Sequence, residues 1–328
     1  MPKAIAYFVA GGIGDGVMAL PAIKKIKKSF PGARLDIYAE PAIYKFISSF
    51  LPDYTVKCFY RSRIFLYFLR SFLKKYDVSF TSVIAVYNIY IEIASWLLSK
   101  MPYGFRYAHE SVRDRLYRDS IAIEETTHDT AQNMRLVASK MGLNITEGDY
   151  IFEKEHKESP SNTELEVLIH PGIKRGYENR SWPAENYKAL IDRLKENGYI
   201  VKIILGPDDK KLQSLFSRAG KYDILFSPKP AELTEELKRS FMFIGNDSGP
   251  AHIADYVGTP TIVLFGPADP RRTAPNGERT TVIYKAKACS PCHYKSIECK
   301  KNICMTDITV EDVWEKVKYI ESKTGVKI

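Results

Sequence analysis

The chain has 328 residues, 45% hydrophobic and 27% charged, and 48 Lys and Arg against 39 Asp and Glu give it a formal net charge of +9. Its length suits two domains, its composition excludes a disordered chain, and no apolar run reaches the roughly 18 uncharged residues of a membrane span. The positive balance favours anionic partners: nucleic acid, phosphorylated small molecules or an acidic membrane surface.

Residues 4–10, AIAYFVA, predict an apolar strand. GGIGD breaks it, and Val17, Leu20, Ile23 and Ile26 then recur at helical spacing, with Lys24, Lys25, Lys27 and Lys28 on the other face. ARLDIYAE (33–40) supplies the next strand, so the opening is a βαβ unit and points to a parallel sheet. No signal peptide is expected ahead of it, and five cysteines, an odd number, argue against a disulfide scaffold and for the cytoplasm. A nicotinamide dehydrogenase is disfavoured, because G-x-G-x-x-G would need Gly where Val17 stands. Asp15 follows GGIG at the carboxyl end of the first strand, where a carboxylate either caps the helix or faces a ligand. Between 44 and 76, Tyr and Phe interleave with Lys and Arg. That pattern fits an amphipathic helix with a solvated basic face, or a surface for an anionic membrane. VSFTSVIAV (78–86) predicts a strand, IEIASWLLSK (91–100) a helix, and the isolated Cys58 a core position.

EKEHKESPSNTE (153–164) is charged, contains Pro and lacks apolar periodicity, so it predicts a linker between lobes spanning 1–157 and 158–328. The second half restarts the alternation. EVLIHPG (166–172) is a strand into a turn, AENYKALIDRLKENG (184–198) a helix closed by Gly198, and YIVKIILGPDD (199–209) a strand into a turn. FMFIGNDSG (241–249) and TPTIVLFGP (259–267) add two strands, with the helix AHIADYVG (251–258) between them. The fold class is therefore α/β, with two doubly wound lobes facing a central cleft.

Open α/β sheets bind ligands at the carboxyl ends of their strands, where helix N-termini present unpaired amides. GNDSGPAH is such a place: Asp247 or Ser248 can cap the helix, Gly249 permits close backbone approach, and Pro250 suits the first turn. For a diphosphate ligand, Ser248, Gly249 and the amides of Ala251 and His252 would form the cradle, although His252 also suits a packed helix position. His170, Pro171 and Gly172 form another polar strand end in the same lobe, either facing a ligand or closing the sheet.

NDSGPAHIADYVGTPTIVLFGPADPRRTAP (246–275) resembles the signature of the heptosyltransferases of glycosyltransferase family 9. GGIGDGVMALPAIKKIKKSFPGARLDIYAE and IHPGIKRGYENRSWPAENYKALIDRL resemble two further blocks of that family, and the likeness extends to a C-terminal cysteine cluster. The resemblance implies a GT-B fold of two Rossmann-like lobes, the N-terminal one for the acceptor and the C-terminal one for a nucleotide sugar. It further implies inverting transfer of heptose from ADP-L-glycero-D-manno-heptose to the lipopolysaccharide inner core, without a catalytic metal. On the same ground Asp15 is the base. A cation before Trp-Pro, Arg180 with Lys174 and Arg175 as competitors, meets the donor phosphates, and an acidic residue of the LGPDD turn, Asp208, meets the ribose. The expected donor set is thus His170, Pro171, Gly172, Lys174, Asp208, Asp247, Ser248, Gly249, Pro250 and His252, with a saccharide or glycolipid as acceptor.

CSPCHYKSIECKKNIC gives Cys289, Cys292, Cys299 and Cys304 in C-x2-C-x6-C-x4-C spacing. Four thiolates so spaced can close a structural Zn or Fe site within a loop over 289–304, while the neighbouring Lys287, His293, Lys295, Lys300 and Lys301 would also support redox-active thiols. Two other classes fit parts of the chain: a nucleotide-sugar-binding protein without turnover, and a nucleic-acid-binding protein built on the cysteines and the basic charge. The three motif blocks speak against the latter, so no nucleic acid is expected.

Overall fold

The first strand, β1 (Ala4–Val9), is buried at every position after Ala4, as a central strand covered on both faces must be. A computed structural model describes residues 1–70, 75–106, 112–150, 165–217, 222–292, 299 and 302–324. The chain divides into two compact units, Met1–Phe152 and Glu153–Ile328. The boundary expected at 157/158 falls in a stretch, 151–164, outside the described residues.

In the first unit, β1 is joined by β2 (Arg34–Ala39), β3 (Thr55–Cys58), β4 (Tyr76–Thr81), β5 (Ser99–Arg106) and β6 (Asp119–Ala122). The order is β3-β2-β1-β4-β5-β6, every pair is parallel, and Tyr7 lies in register with Ile37 on one side and Phe80 on the other. Helices α1 (Ile13–Ser29), α2 (Pro41–Phe50), α3 (Ile64–Arg70), α4 (Ile89–Leu98) and α5 (Asp129–Met141) connect or cover the strands. A core of Phe8, Tyr38, Phe59, Tyr67, Tyr76 and Ile91 fills one face.

The second unit repeats the order. Strands β7 (Glu166–His170), β8 (Ile200–Leu205), β9 (Asp223–Phe226), β10 (Met242–Asn246), β11 (Thr261–Phe265) and β12 (Thr280–Tyr284) lie as β12-β11-β10-β7-β8-β9, all parallel. Its helices are α6 (Ala184–Glu196), α7 (Lys210–Ser217), α8 (Pro230–Arg239), α9 (Gly249–Tyr256), α10 (Pro270–Thr273), α11 (Ile303–Thr306) and α12 (Val310–Thr324). Trp182, Tyr187, Leu190, Met242, Leu264 and Val317 belong to its core. In each sheet the strand order reverses once, between β1 and β4 and between β7 and β10, and the carboxyl ends at such a reversal form the binding crevice of a doubly wound sheet.

Three sequence expectations change. The strand read over 78–86 stops at Thr81, and Val83–Tyr87 forms a 3-10 turn instead. The stretch 44–76 is not one amphipathic helix: α2 ends at Phe50 and the edge strand β3 intervenes. Cys58, expected in the core, closes that edge strand and is only partly buried.

Candidate functional site

The carboxyl ends of β7 and β10 bring the His-Pro-Gly turn and the Asn-Asp-Ser-Gly turn side by side, because the two strands are neighbours in the sheet. Asn246, fully buried at the end of β10, joins them. Its Nδ2 donates to the carbonyls of Pro171 (2.9 Å) and Gly172 (3.3 Å), and its Oδ1 accepts from the Trp182 amide (3.0 Å) and the Tyr187 hydroxyl (2.9 Å). One amide side chain thereby fixes the turn after β7 and the Trp-Pro segment together. Trp182 is held from beneath as well, its indole N–H donating to the Ile308 carbonyl at 2.7 Å.

His170, 6% exposed, ends β7 with Nδ1 at 3.0 Å from the Ser248 hydroxyl. Burial lowers its pKa to about 4, so the ring is neutral at pH 7. The Asp209 carboxylate, 3.8 Å from Nε2, is therefore a polar neighbour and not an ion-pair partner. Asp209 itself accepts from the amides of Gly206 (2.7 Å) and Ile173 (3.3 Å), tying the turn after β8 to the turn after β7. Burial raises its pKa against those two bonds. A Cβ at Gly172 would lie 2.1 Å from Asp209 Oδ2, so glycine is the residue that admits this carboxylate.

Asp247 is buried and pairs with Arg180, whose Nη1 stands 2.7 Å from Oδ2. Burial raises the Asp247 pKa and the guanidinium opposes the rise. Arg180 also lies over the Tyr177 ring, 4.9 Å from its centroid, while Lys174 and Arg175 are exposed. Of the three cations considered before Trp-Pro, Arg180 is thus the one held against the strand ends. Ser248 occupies the N-cap of α9 without a side-chain capping bond, its hydroxyl being turned to His170. Gly249 and Pro250 open the helix half-exposed, and His252 is buried within it. The structure therefore brings His170, Pro171, Gly172, Arg180, Asp247, Ser248 and the start of α9 together. It leaves Lys174 and Asp208 on the solvent side, Asp208 being exposed at its turn. Sequence reasoning passed over Asn246 and Asp209. The Asn before Asp-Ser-Gly and the second Asp of LGPDD were visible, but their bonds depend on strand order.

In the first unit, Asp15 stands at the third position of α1 and its Oδ2 accepts from the Gly12 amide at 2.7 Å, the one half of a capping box that a glycine N-cap allows. Gly11 has φ +92°, and a Cβ there would meet Asp15 Oδ2 at 2.4 Å. The Gly11 amide donates to Glu40 Oε2 at 3.0 Å, and the other oxygen of Glu40 receives Arg61 Nη2 (3.1 Å) and Asn88 Nδ2 (2.9 Å). Two carboxylates thus hold successive amides of the loop after β1.

Cys304 is buried, Cys292 and Cys299 are partly buried, and Cys289 is exposed. Burial, and after it the neighbouring cysteines, raise the Cys304 pKa, and the Cys292 amide bonds the Pro267 carbonyl at 2.7 Å beside β11. Among the described residues, however, no group of three or more His, Cys, Asp or Glu could hold a metal ion. The Zn or Fe site expected from the spacing is therefore not supported. The thiols differ in depth from exposed to buried, and His293 lies outside the described residues.

A family model described as glycosyltransferase family 9 (heptosyltransferase) matches residues 92–302. Lipooligosaccharide heptosyltransferase 2 of Campylobacter jejuni (strain ATCC 700819) is 26% identical over 330 residues, covering 93% of this chain and 94% of that protein. The structure of E. coli ADP-heptose lipopolysaccharide heptosyltransferase II superposes with TM-score 0.75 at 17% identity, covering 98% of this chain and 100% of that one. E. coli heptosyltransferase WaaC with ADP gives TM-score 0.73 at 16% identity, covering 97% and 99%. At these identities the two structures speak for a shared fold.

Proposed function

The chain belongs to glycosyltransferase family 9, the heptosyltransferase family, and from that premise we propose that it moves heptose from ADP-L-glycero-D-manno-heptose to a saccharide hydroxyl of the lipopolysaccharide inner core. The observation that carries the donor side is the convergence of Arg180, Asp247, Ser248 and the first turn of α9 at the strand-order reversal of the second unit. The diphosphate lies against the α9 amides and the Ser248 hydroxyl, where helix N–H groups favour an anion. Arg180, already oriented by Asp247, neutralises the charge that grows on the leaving ADP. Asp15 takes the acceptor proton as general base. No metal is called for, since a guanidinium and backbone amides carry the phosphate charge. An acceptor carried on a lipid places the work at an anionic membrane face, on its cytoplasmic side.

A second reading, nucleotide-sugar binding without turnover, is favoured by one observation: Asp15 already accepts the Gly12 amide, a structural task. Carboxylates accept more than one bond, so the two roles are compatible. Release of ADP from ADP-heptose in the presence of a truncated, heptose-free core saccharide separates them. The wild type is expected to turn over. Asp15→Asn keeps an acceptor oxygen for Gly12 and is expected to lose about 100-fold or more in kcat with donor affinity and melting temperature unchanged. Full activity in Asp15→Asn would remove the base assignment, and no turnover by the wild type would favour the binding protein.

A further inference from the structure

Among the described residues, four exposed large apolar side chains cluster in one short segment. In α3, Phe65 is 64%, Leu66 47%, Phe68 52% and Leu69 54% exposed, whereas Tyr67 is 8% exposed and anchors the helix in the core. Phe59 stacks on the Tyr67 ring at 5.6 Å and Tyr38 meets it edge-on at 6.3 Å, so the helix has a fixed inner stripe and an apolar outer face. Burying the outer face is what a partner would gain.

Charge narrows the partner. The 3-10 turn Arg61–Arg63 leads directly into α3, and both its arginines are exposed beside the apolar face. Arg63 lies over the Tyr60 ring and Arg61 over the Tyr90 ring, at 4.8 and 5.9 Å, so aromatic rings fan out around the cations. If the face met a second copy of itself across a two-fold axis, the arginines would be brought near their own images. An anionic bilayer offers phosphates for the arginines, acyl chains for Phe and Leu, and an interfacial layer suited to Tyr. The net charge of +9 adds long-range attraction to the same surface.

We propose that α3 and the Arg61–Arg63 turn form a docking wedge for an anionic lipid bilayer, with Phe65, Leu66, Phe68 and Leu69 entering the headgroup boundary and Arg61 and Arg63 on the lipid phosphates. The wedge is tied to the loop that carries Asp15. Arg61 bonds Glu40, Glu40 accepts the Gly11 amide, and the next amide, that of Gly12, is held by Asp15. Docking therefore sets the height of that loop above the lipid surface. Its purpose rests on the transferase reading, and the test keeps the two apart.

The full chain is sedimented, without donor, with vesicles of phosphatidylcholine alone or mixed with phosphatidylglycerol. The mixed vesicles are expected to bind about tenfold more tightly or better, with affinity falling as salt rises. Phe65→Ser with Leu69→Ser is expected to lower that affinity about tenfold or more. It should leave transfer to a water-soluble acceptor unchanged, which also shows that the variant folds. In a second measurement, Phe65→Trp adds fluorescence quenched by bromine-labelled lipid tails beyond that of the wild type. Equal binding to both vesicle types, undiminished binding by the double variant, or no added quenching would overturn the wedge. So would a dimer that the double variant abolishes while vesicle binding persists. Failure of transfer with vesicle binding intact would instead strike the transferase reading alone.

Discussion

At pH 7 the His170 ring contributes by being uncharged. Its folded pKa of about 4 lies below the 6.5 of an exposed imidazole, so the unfolded chain takes up the proton first as pH falls. The stabilisation from burying the neutral ring is complete above pH 6.5 and is lost between about 6.5 and 4, about 3 kcal/mol in all. Asp209 and Asp247 have raised pKa values and push the opposite way, since their native forms gain protons more readily. Comparison with His170→Gln isolates the histidine: denaturant unfolding across that range is expected to show the acid-side loss in the wild type and a smaller one in the variant. A slope equal in both would show that the ring titrates as an exposed one. The Arg180–Asp247 pair gives a second residue-scale test. Arg180→Met leaves a buried carboxylate without its cation and is expected to lose up to about 3–5 kcal/mol at pH 7. The loss should shrink toward pH 4, because without the guanidinium the Asp247 pKa rises further and its protonated form suits burial. Adding Asp247→Asn should recover most of the stability. Equal loss at both pH values would show that packing of Arg180 on Tyr177, and not charge, is what was removed.

At the scale of elements, the hub is the end of β10. Asn246→Ala removes four bonds at once, leaving the carbonyls of Pro171 and Gly172 and the Trp182 amide without their partner. About 3 kcal/mol or more of stability is expected to go, with donor affinity lost beyond what unfolding explains, by urea titration and calorimetry. Unchanged donor binding in a folded Asn246→Ala protein would mean that the two turns hold their places without it. The strands β1, β7, β10 and β11 were legible because buried parallel strands are continuous apolar runs. β5, SKMPYGFR, was not, since Lys100, Pro102 and Gly104 read as breakers. In the sheet Gly104 is needed because a Cβ there would lie 2.2 Å from the Tyr117 ring. The edge strands β3 and β9, four residues each, are too short to register as apolar runs. Strand-end turns could be seen as polar punctuation, which is how His170, Asp247 and Ser248 were found. Asn246 and Asp209 could not be assigned their bonds, because these join turns 75 and 36 residues apart through sheet order alone. The C-x2-C spacing is a different case: it sets which thiols are close in sequence, and among the described residues it gains no support as a metal site.

At the scale of the whole molecule, both units carry the same strand order, and each sets its polar turns at the reversal point. In the second unit the reversal gathers a guanidinium held by a buried carboxylate, a hydroxyl held by a neutral imidazole, and the start of a helix. In the first it gathers two carboxylates on a glycine-rich loop. Such a division suits a reaction in which one partner is a diphosphate ester and the other must lose a proton. The most direct test is a calorimetric titration of the full chain with ADP, UDP, GDP and ADP-heptose. Binding of ADP, tighter binding of ADP-heptose, and about tenfold weaker or no binding of UDP and GDP is the expected result. Preference for UDP or GDP, or heat from none of the four, would contradict an ADP-heptose donor site at the ends of β7 and β10.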